Sequence, residues 1–344
     1  MFGRICLSAF VTCCLSTSLA FAHDPAAHDH GGHKVPTLNK PKTTVTLEPD
    51  RISITFGPID LPVGHSGDLA ASMPKHFFNL PEDRYMTGYK TEVFTKEGKE
   101  LPREYLHHIL LLDMDQDSIS CPGEPLFFAG AGMEMRETRF PAGHGVKLDQ
   151  THKLMALVAF YHKAAPTKDA MARFTIYTAP KGQELHPMQV YQVGVNVVCF
   201  SKFDQRPANQ SDEGIAIDAG VHVIKEPLKF LVDGCVKFAY PHSHNGALLI
   251  AMENRTRKKT LLRTVPDVLL DGTLLGFPDR QVYSNPIGFP VSTKEDYEMV
   301  LVHHRPLDQE GDIRGMGNYL LYMTREACPN AETPATVASS ETTP

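Results

Sequence analysis

The fold class predicted by the sequence is all-β: two tandem antiparallel β-sandwich domains of jelly-roll type. Three observations predict it. Short β-type runs are separated by Gly, Pro, Asn and Asp; no persuasive amphipathic helix of about ten residues or more is present; and a 344-residue chain exceeds what one hydrophobic core usually serves.

Taken in order, residues 1–22 carry Arg4, then an apolar run ending in Ala20-Phe21-Ala22. That is the small-x-small form of a signal-peptidase site, so cleavage is expected after Ala22, leaving His23 first. No later stretch approaches the roughly 18 uncharged residues needed to cross a bilayer, and the expectation is a periplasmic or secreted protein with no membrane anchor. Residues 23–43 are rich in His, Gly, Pro and Ala, have no apolar period and are expected to be a disordered tail. A first sandwich is expected over 44–200, on runs at 52–56, 107–112, 154–161, 173–178 and 190–200. The polar segment 201–214 contains Asp204, Pro207, Asn209 and Asp212 and is the expected linker. A second sandwich over 215–330 rests on runs at 247–252, 299–302 and 319–323, and 331–344 is a Ser/Thr/Pro/Ala tail.

Four cysteines lie beyond the leader: Cys121, Cys199, Cys235 and Cys328. An even number in an oxidising compartment predicts two disulfides, with three pairings open; Cys121–Cys199 with Cys235–Cys328 would keep each bridge within one half. The net charge of −6 offers no basic stripe, so nucleic acid is excluded as a partner. Oligomeric state is not legible.

Histidine spacing carries the chemistry. His107-His108 opens an apolar run; adjacent strand residues point to opposite faces, so both serve one metal only where the strand reaches an edge or twists. His242-Ser243-His244 places two imidazoles on one face of a strand, a spacing suited to a shared ion. His162 follows the run 154–161, and Met316 lies in Arg314-Gly315-Met316-Gly317-Asn318 ahead of another apolar run.

The chain order His-His, single His, His-x-His, Met resembles the copper type II, ascorbate-dependent monooxygenases, the family of peptidylglycine α-hydroxylating monooxygenase and dopamine β-monooxygenase. Phe140-Pro141-Ala142-Gly143-His144-Gly145-Val146 is similar to the Gly-rich turn before that family's third histidine. Phe238-Ala239-Tyr240 is similar to the strand entering its His-x-His, and the resemblance covers about 85–328. It implies two copper ions facing a shared cleft. His107, His108 and His162 would hold the electron-transfer copper, and His242, His244 and Met316 the copper that meets oxygen and substrate. Three imidazoles accept both Cu(I) and Cu(II), and a thioether selects soft Cu(I) over zinc. Ascorbate or another external reductant, dioxygen and a small-molecule or peptide-like substrate with a hydroxylatable C–H bond complete the implied reaction.

Departures bear on the substrate. Tyr240 stands where the amidating enzymes carry a carboxylate-binding arginine, and Leu320 where they carry a tyrosine, while Asn318 keeps the intervening asparagine. Tyr240 and Asn318 are therefore the candidate substrate contacts, and a peptidylglycine substrate is disfavoured. Aligned on Tyr161, the family's third histidine falls at Phe160, two positions before His162, a shift that preserves the strand face.

Two other readings stand beside this one. A noncatalytic copper-binding or copper-delivery protein on the same scaffold is suggested by the extra histidines, by Met133-Glu134-Met135 and by the missing anchors. An N-terminal histidine-brace oxidase would use the α-amine and imidazole of His23, with His28, His30 and His33 as accessory metal-capturing groups.

Overall fold

Strand formation follows side-chain alternation. In the computed structural model, residues 42–62, 69–72, 75–135, 137–161, 166–197, 199, 210–211, 214–307 and 314–329 are described. Residues 1–41, which hold the leader and the tail histidines, lie outside the described residues, as do His162, the C-terminal tail and most of 201–214; Thr43, expected as the last residue of the disordered tail, instead opens a strand because it pairs with Phe56.

The first half contributes β1 (Thr43–Glu48), β2 (Arg51–Leu61), β3 (Leu69–Ser72), β4 (His76–Phe78), β5 (Arg84–Thr95) and β6 (Leu106–Asp117). It continues with β7 (Pro125–Gly132), β8 (Glu137–Arg139), β9 (His144–Leu148), β10 (Leu154–Tyr161), β11 (Thr167–Thr178) and β12 (His186–Pro187). One sheet runs β1-β2-β11-β5-β9-β12 with β8 on β5, and the other runs β3-β10-β6-β7 with β4 on β10. All of these pairings are antiparallel except the short β9–β12 contact. In β2 the period-2 pattern buries Ile52, Ile54 and Phe56 while Arg51, Ser53 and Thr55 stay half-exposed.

The second half contains β13 (Gln189–Val195), β14 (Gln210–Ser211), β15 (Gly214–Ala216), β16 (Gly220–Leu228), β17 (Gly234–Ser243), β18 (Ala247–Asn254) and β19 (Lys259–Thr264). It ends with β20 (Asp267–Val268), β21 (Leu274–Gly276), β22 (Tyr283–Val291), β23 (Tyr297–Arg305), β24 (Arg314–Gly315) and β25 (Gly317–Thr324). Its two main sheets run β13-β25-β17-β22 and β16-β23-β18-β19, with small sheets β14-β15-β24 and β20-β21 beside them. Strand β17 is inside its sheet and buried along nearly its whole length.

The chain is all-β as expected: the predicted apolar runs other than 190–200 fall within strands, and the helical turns in the described residues are 3-10, such as Arg103–Tyr105. Two details differ from the sequence reading. The run 190–200 ends its strand at Val195, because Asn196 takes the left-handed conformation at φ 65°. That strand, expected in the first half, pairs along its length with β25 of the second. The polar segment 201–214 also ends in structure, since β14 pairs with β15 and Ile215 pairs with Gly315, one residue before Met316.

Two disulfides form, Cys121–Cys199 and Cys235–Cys328. The first ties the β6–β7 loop to the segment just after β13, so it spans the connection between the halves. A shared aromatic core joins them as well. Phe140 packs on Phe238 at 5.2 Å and on Tyr322 at 4.6 Å between ring centroids, and Tyr89 stacks on Phe174 at 5.2 Å. Among the described residues, no helix is long and apolar enough to cross a membrane.

Candidate metal centre

The pair His107-His108 sits at the start of β6, immediately after the 3-10 turn Arg103–Tyr105. The strand begins there at an irregular register, with Ala159 opposite His108 and Phe160 opposite Leu106, so strict two-face alternation is broken. The two rings therefore lie side by side, 4.1 Å apart between centroids, and the ring of Tyr161 lies 4.4 Å from His107. His107 Nδ1 is shielded from solvent and has no hydrogen-bond partner among the described residues. A buried imidazole nitrogen without a protein partner calls for a water, an ion or another ligand to satisfy it.

The pair His242 and His244 closes β17. Their centroids are 5.3 Å apart with the rings nearly perpendicular. Asn318 stands opposite His242 and Gly317 opposite Ser243, the last pair of the β17–β25 ladder, and His244 and Met316 are the residues that adjoin that pair in the chain. The hydroxyl of Ser243 donates to the Met316 carbonyl, and the His244 ring hydrogen-bonds the main chain of Arg314. Cross-strand register thus places Met316 on the same end of the sheet as the two imidazoles.

Glu134 binds one pair and follows the strand that is paired with the other. Gly132 of β7 pairs with His108 of β6, and two residues later the Glu134 carboxylate accepts a hydrogen bond from His242 Nδ1 at 2.6 Å. The Glu134 side chain is only 2% exposed. Burial pushes its carboxyl up, but the charge and hydrogen bond of His242 outweigh that, and the net displacement is downward. Because an ionised carboxylate can only accept, His242 is the donor in this bond, through Nδ1.

Electrostatics place the pairs against each other. Burial lowers the His107 pKa well below the ordinary imidazole value, with further lowering from His108, His244 and His242. Burial, then His242, push His244 down to about 3. These imidazoles are therefore neutral at physiological pH, the state in which a ring nitrogen binds metal.

Each pair offers two nitrogens. The described His, Cys, Asp and Glu groups bring three potential ligand atoms within 4.8 Å of one another only at Cys121, Glu124 and Cys199, where both sulfurs are committed to the disulfide. A third ligand for the His242 pair would come from Met316, and for the His107 pair from His162, which lies outside the described residues together with His23, His28, His30 and His33.

The candidate substrate contacts separate. Asn318 is half-exposed and opposes both His242 and Gly194. Tyr240 is 4% exposed, with its ring edge-on to Phe277, and burial raises its pKa far above the usual phenol range.

Sequence reasoning missed two participants. Glu134 registered only as part of Met133-Glu134-Met135, and no local spacing points to a partner 108 residues away. His303 is fully buried between the segments that carry His244 and Met316, and its Nε2 hydrogen-bonds the Asn245 carbonyl at 2.8 Å. A Cβ on Gly246 would lie 2.5 Å from His303 Cε1, and one on Gly315 would lie 3.3 Å from His303 Cδ2.

No family model matches the chain, and no curated protein does. Among solved structures it is similar to a protein from Parabacteroides distasonis ATCC 8503 whose name records only an inferred secretion. That similarity amounts to 7% sequence identity and a TM-score of 0.17, covering 86% of this chain and 93% of that one, and carries no argument about fold or function.

Proposed function

We propose that the chain is an exported copper-dependent monooxygenase, with two tandem sandwiches presenting their copper ligands toward each other across a shared cleft. His107, His108 and His162 would hold the electron-transfer copper, and His242, His244 and Met316 the copper at which substrate reacts. The observation that supports the reading is the nearness of two histidine pairs far apart in the chain, with Glu134, two residues beyond the strand partner of His108, binding His242. The donor set supports copper: His107 and His244 kept neutral by burial, a buried His107 nitrogen without a partner among the described residues, and Met316 next to Gly317 at the end of the ladder that carries His242.

Copper, when bound, supplies one-electron redox chemistry toward dioxygen. In the overall reaction one oxygen atom enters a substrate C–H bond and the other leaves as water, with two electrons from ascorbate or a similar reductant and two protons from solvent. The protein's own groups do the positioning. Glu134 holds the His242 ring at Nδ1, Ser243 holds the Met316 main chain, and Asn318, opposite His242, would be the polar group to touch substrate. Export through the cleaved leader agrees with two disulfides and with no membrane-crossing helix among the described residues.

The test is ascorbate-dependent oxygen consumption by the copper-loaded protein, alone and with a panel of C–H substrates, beside His107→Ala and His242→Ala. Turnover in the wild type and its loss in both variants is the expected result. Two tightly held coppers with no turnover on any substrate would instead favour copper carriage. That second reading draws on the burial of Tyr240 and Leu320, at 4% and 6% exposure, which leaves no side chain at either position to anchor a substrate. A histidine brace at His23 would predict that an N-terminal extension abolishes activity.

A further inference from the structure

We infer that Glu134 is a positioning residue for His242 and that it makes the second-half metal site depend on the seating of the first half; the inference rests on the copper reading above. The carboxylate belongs to the turn after β7, in the first half, whereas the imidazole it holds belongs to β17, in the second. At 2.6 Å, with the Glu134 side chain 2% exposed, this is a charge-assisted hydrogen bond whose acceptor is sheltered from water, the kind that fixes both ring orientation and tautomer.

The turn that presents Glu134 is itself held. Arg103 spends its guanidinium on main-chain carbonyls around that turn: Nε donates to Met133 at 2.8 Å, and Nη2 donates to Gly132 and Met135. Its Nη1 reaches the Thr91 carbonyl at 2.9 Å, and the Thr91 hydroxyl donates to the Met135 carbonyl at 2.7 Å. Two glycines leave the room required. A Cβ on Gly132 would lie 2.3 Å from the Glu134 carboxylate, and one on Gly276 would lie 3.0 Å from the Glu134 carbonyl. Gly276 ends the β20–β21 hairpin, which also abuts the histidine loop: Gly246 N–H donates to Gly272 at 2.7 Å and Leu274 N–H to the Asn245 side chain at 2.9 Å.

Arginine, turn, carboxylate and imidazole thus form a continuous chain from one half to the other. Its consequence is directional. The His242 ring is held at Nδ1 only while Glu134 is in place.

The experiment uses the full-length mature protein and two readouts. In metal-free protein, nitrogen-15 NMR of the histidine rings reads the His242 tautomer; protonation on Nδ1 is expected. In Glu134→Ala the ring should lose that preference, and Cu(I) affinity, measured by chelator competition in ascorbate, should fall about 10–100-fold. Glu134→Gln keeps an acceptor oxygen and should recover part of the affinity. Wild-type His242 protonated on Nε2 would overturn the inference even if Glu134→Ala fails to fold. So would a folded Glu134→Ala with tautomer and affinity unchanged. Failure of the wild type to bind copper, with the Nδ1 tautomer present, would count against the copper reading and leave the positioning role standing.

Discussion

Gly246 shows how closely the region around His244 is packed. Its φ of +88° lies in the left-handed region, and any Cβ would fall 2.5 Å from the buried His303 ring and 2.6 Å from the His304 carbonyl. Gly246→Ala is expected to destabilise the protein by roughly 1–3 kcal/mol and to lower retained copper, since the displaced main chain is continuous with His244. Thermal melting and metal content of the purified variant check both effects; a melting temperature equal to the wild type's would contradict the packing argument. At this scale the histidine pairs were legible because their spacing is local. Glu134 and His303 were not, because each acts through a partner remote in sequence and each belongs to a residue type that usually has a blander role.

At the level of elements, the β6–β10 pair carries a pH-sensitive contact. His152, in the turn before β10, donates from Nδ1 to the buried Asp113 of β6 at 2.8 Å. That hydrogen bond is the largest cause raising the His152 pKa above its ordinary 6.5. A raised folded-state pKa gives stabilisation that is complete below the unfolded value and is lost as pH climbs through the folded one. The melting-temperature difference between wild type and His152→Gln should therefore be larger near about pH 5.5 than near about pH 8.5. An equal difference at both would remove the ionic part of the contact. Strands with unbroken apolar runs, such as β10 and β18, were readable directly. Strand β5, crossed by Gly88, Lys90 and Glu92, and β16, with Pro227 inside it, were not, because partners rather than local pattern make them strands.

Across the molecule, the halves are joined by more than a connecting segment. Tyr322 of β25 donates to the Phe128 carbonyl of β7 at 3.1 Å, and its hydroxyl lies 3.2 Å from that of Tyr89 on β5. All of these groups are buried. Tyr322→Phe should cost about 1–3 kcal/mol, because it strands a buried carbonyl and a buried hydroxyl. With the aromatic core and the Glu134–His242 bond shared, calorimetry of the wild type should give one cooperative transition, and two resolved transitions would show that the halves unfold separately.

Composition and local period determined that this chain forms short antiparallel strands, that four cysteines make two bridges, and that two histidine pairs are its chemically distinctive groups. Those properties depend on neighbours a few residues apart, which a sequence displays. Tertiary structure alone decided that β13 completes the sheet of the second half, that Cys121 finds Cys199, and that Glu134 reaches His242. Each of these is a contact between distant segments, selected by how buried surfaces pack and how buried polar groups find partners. No spacing along the chain records that selection.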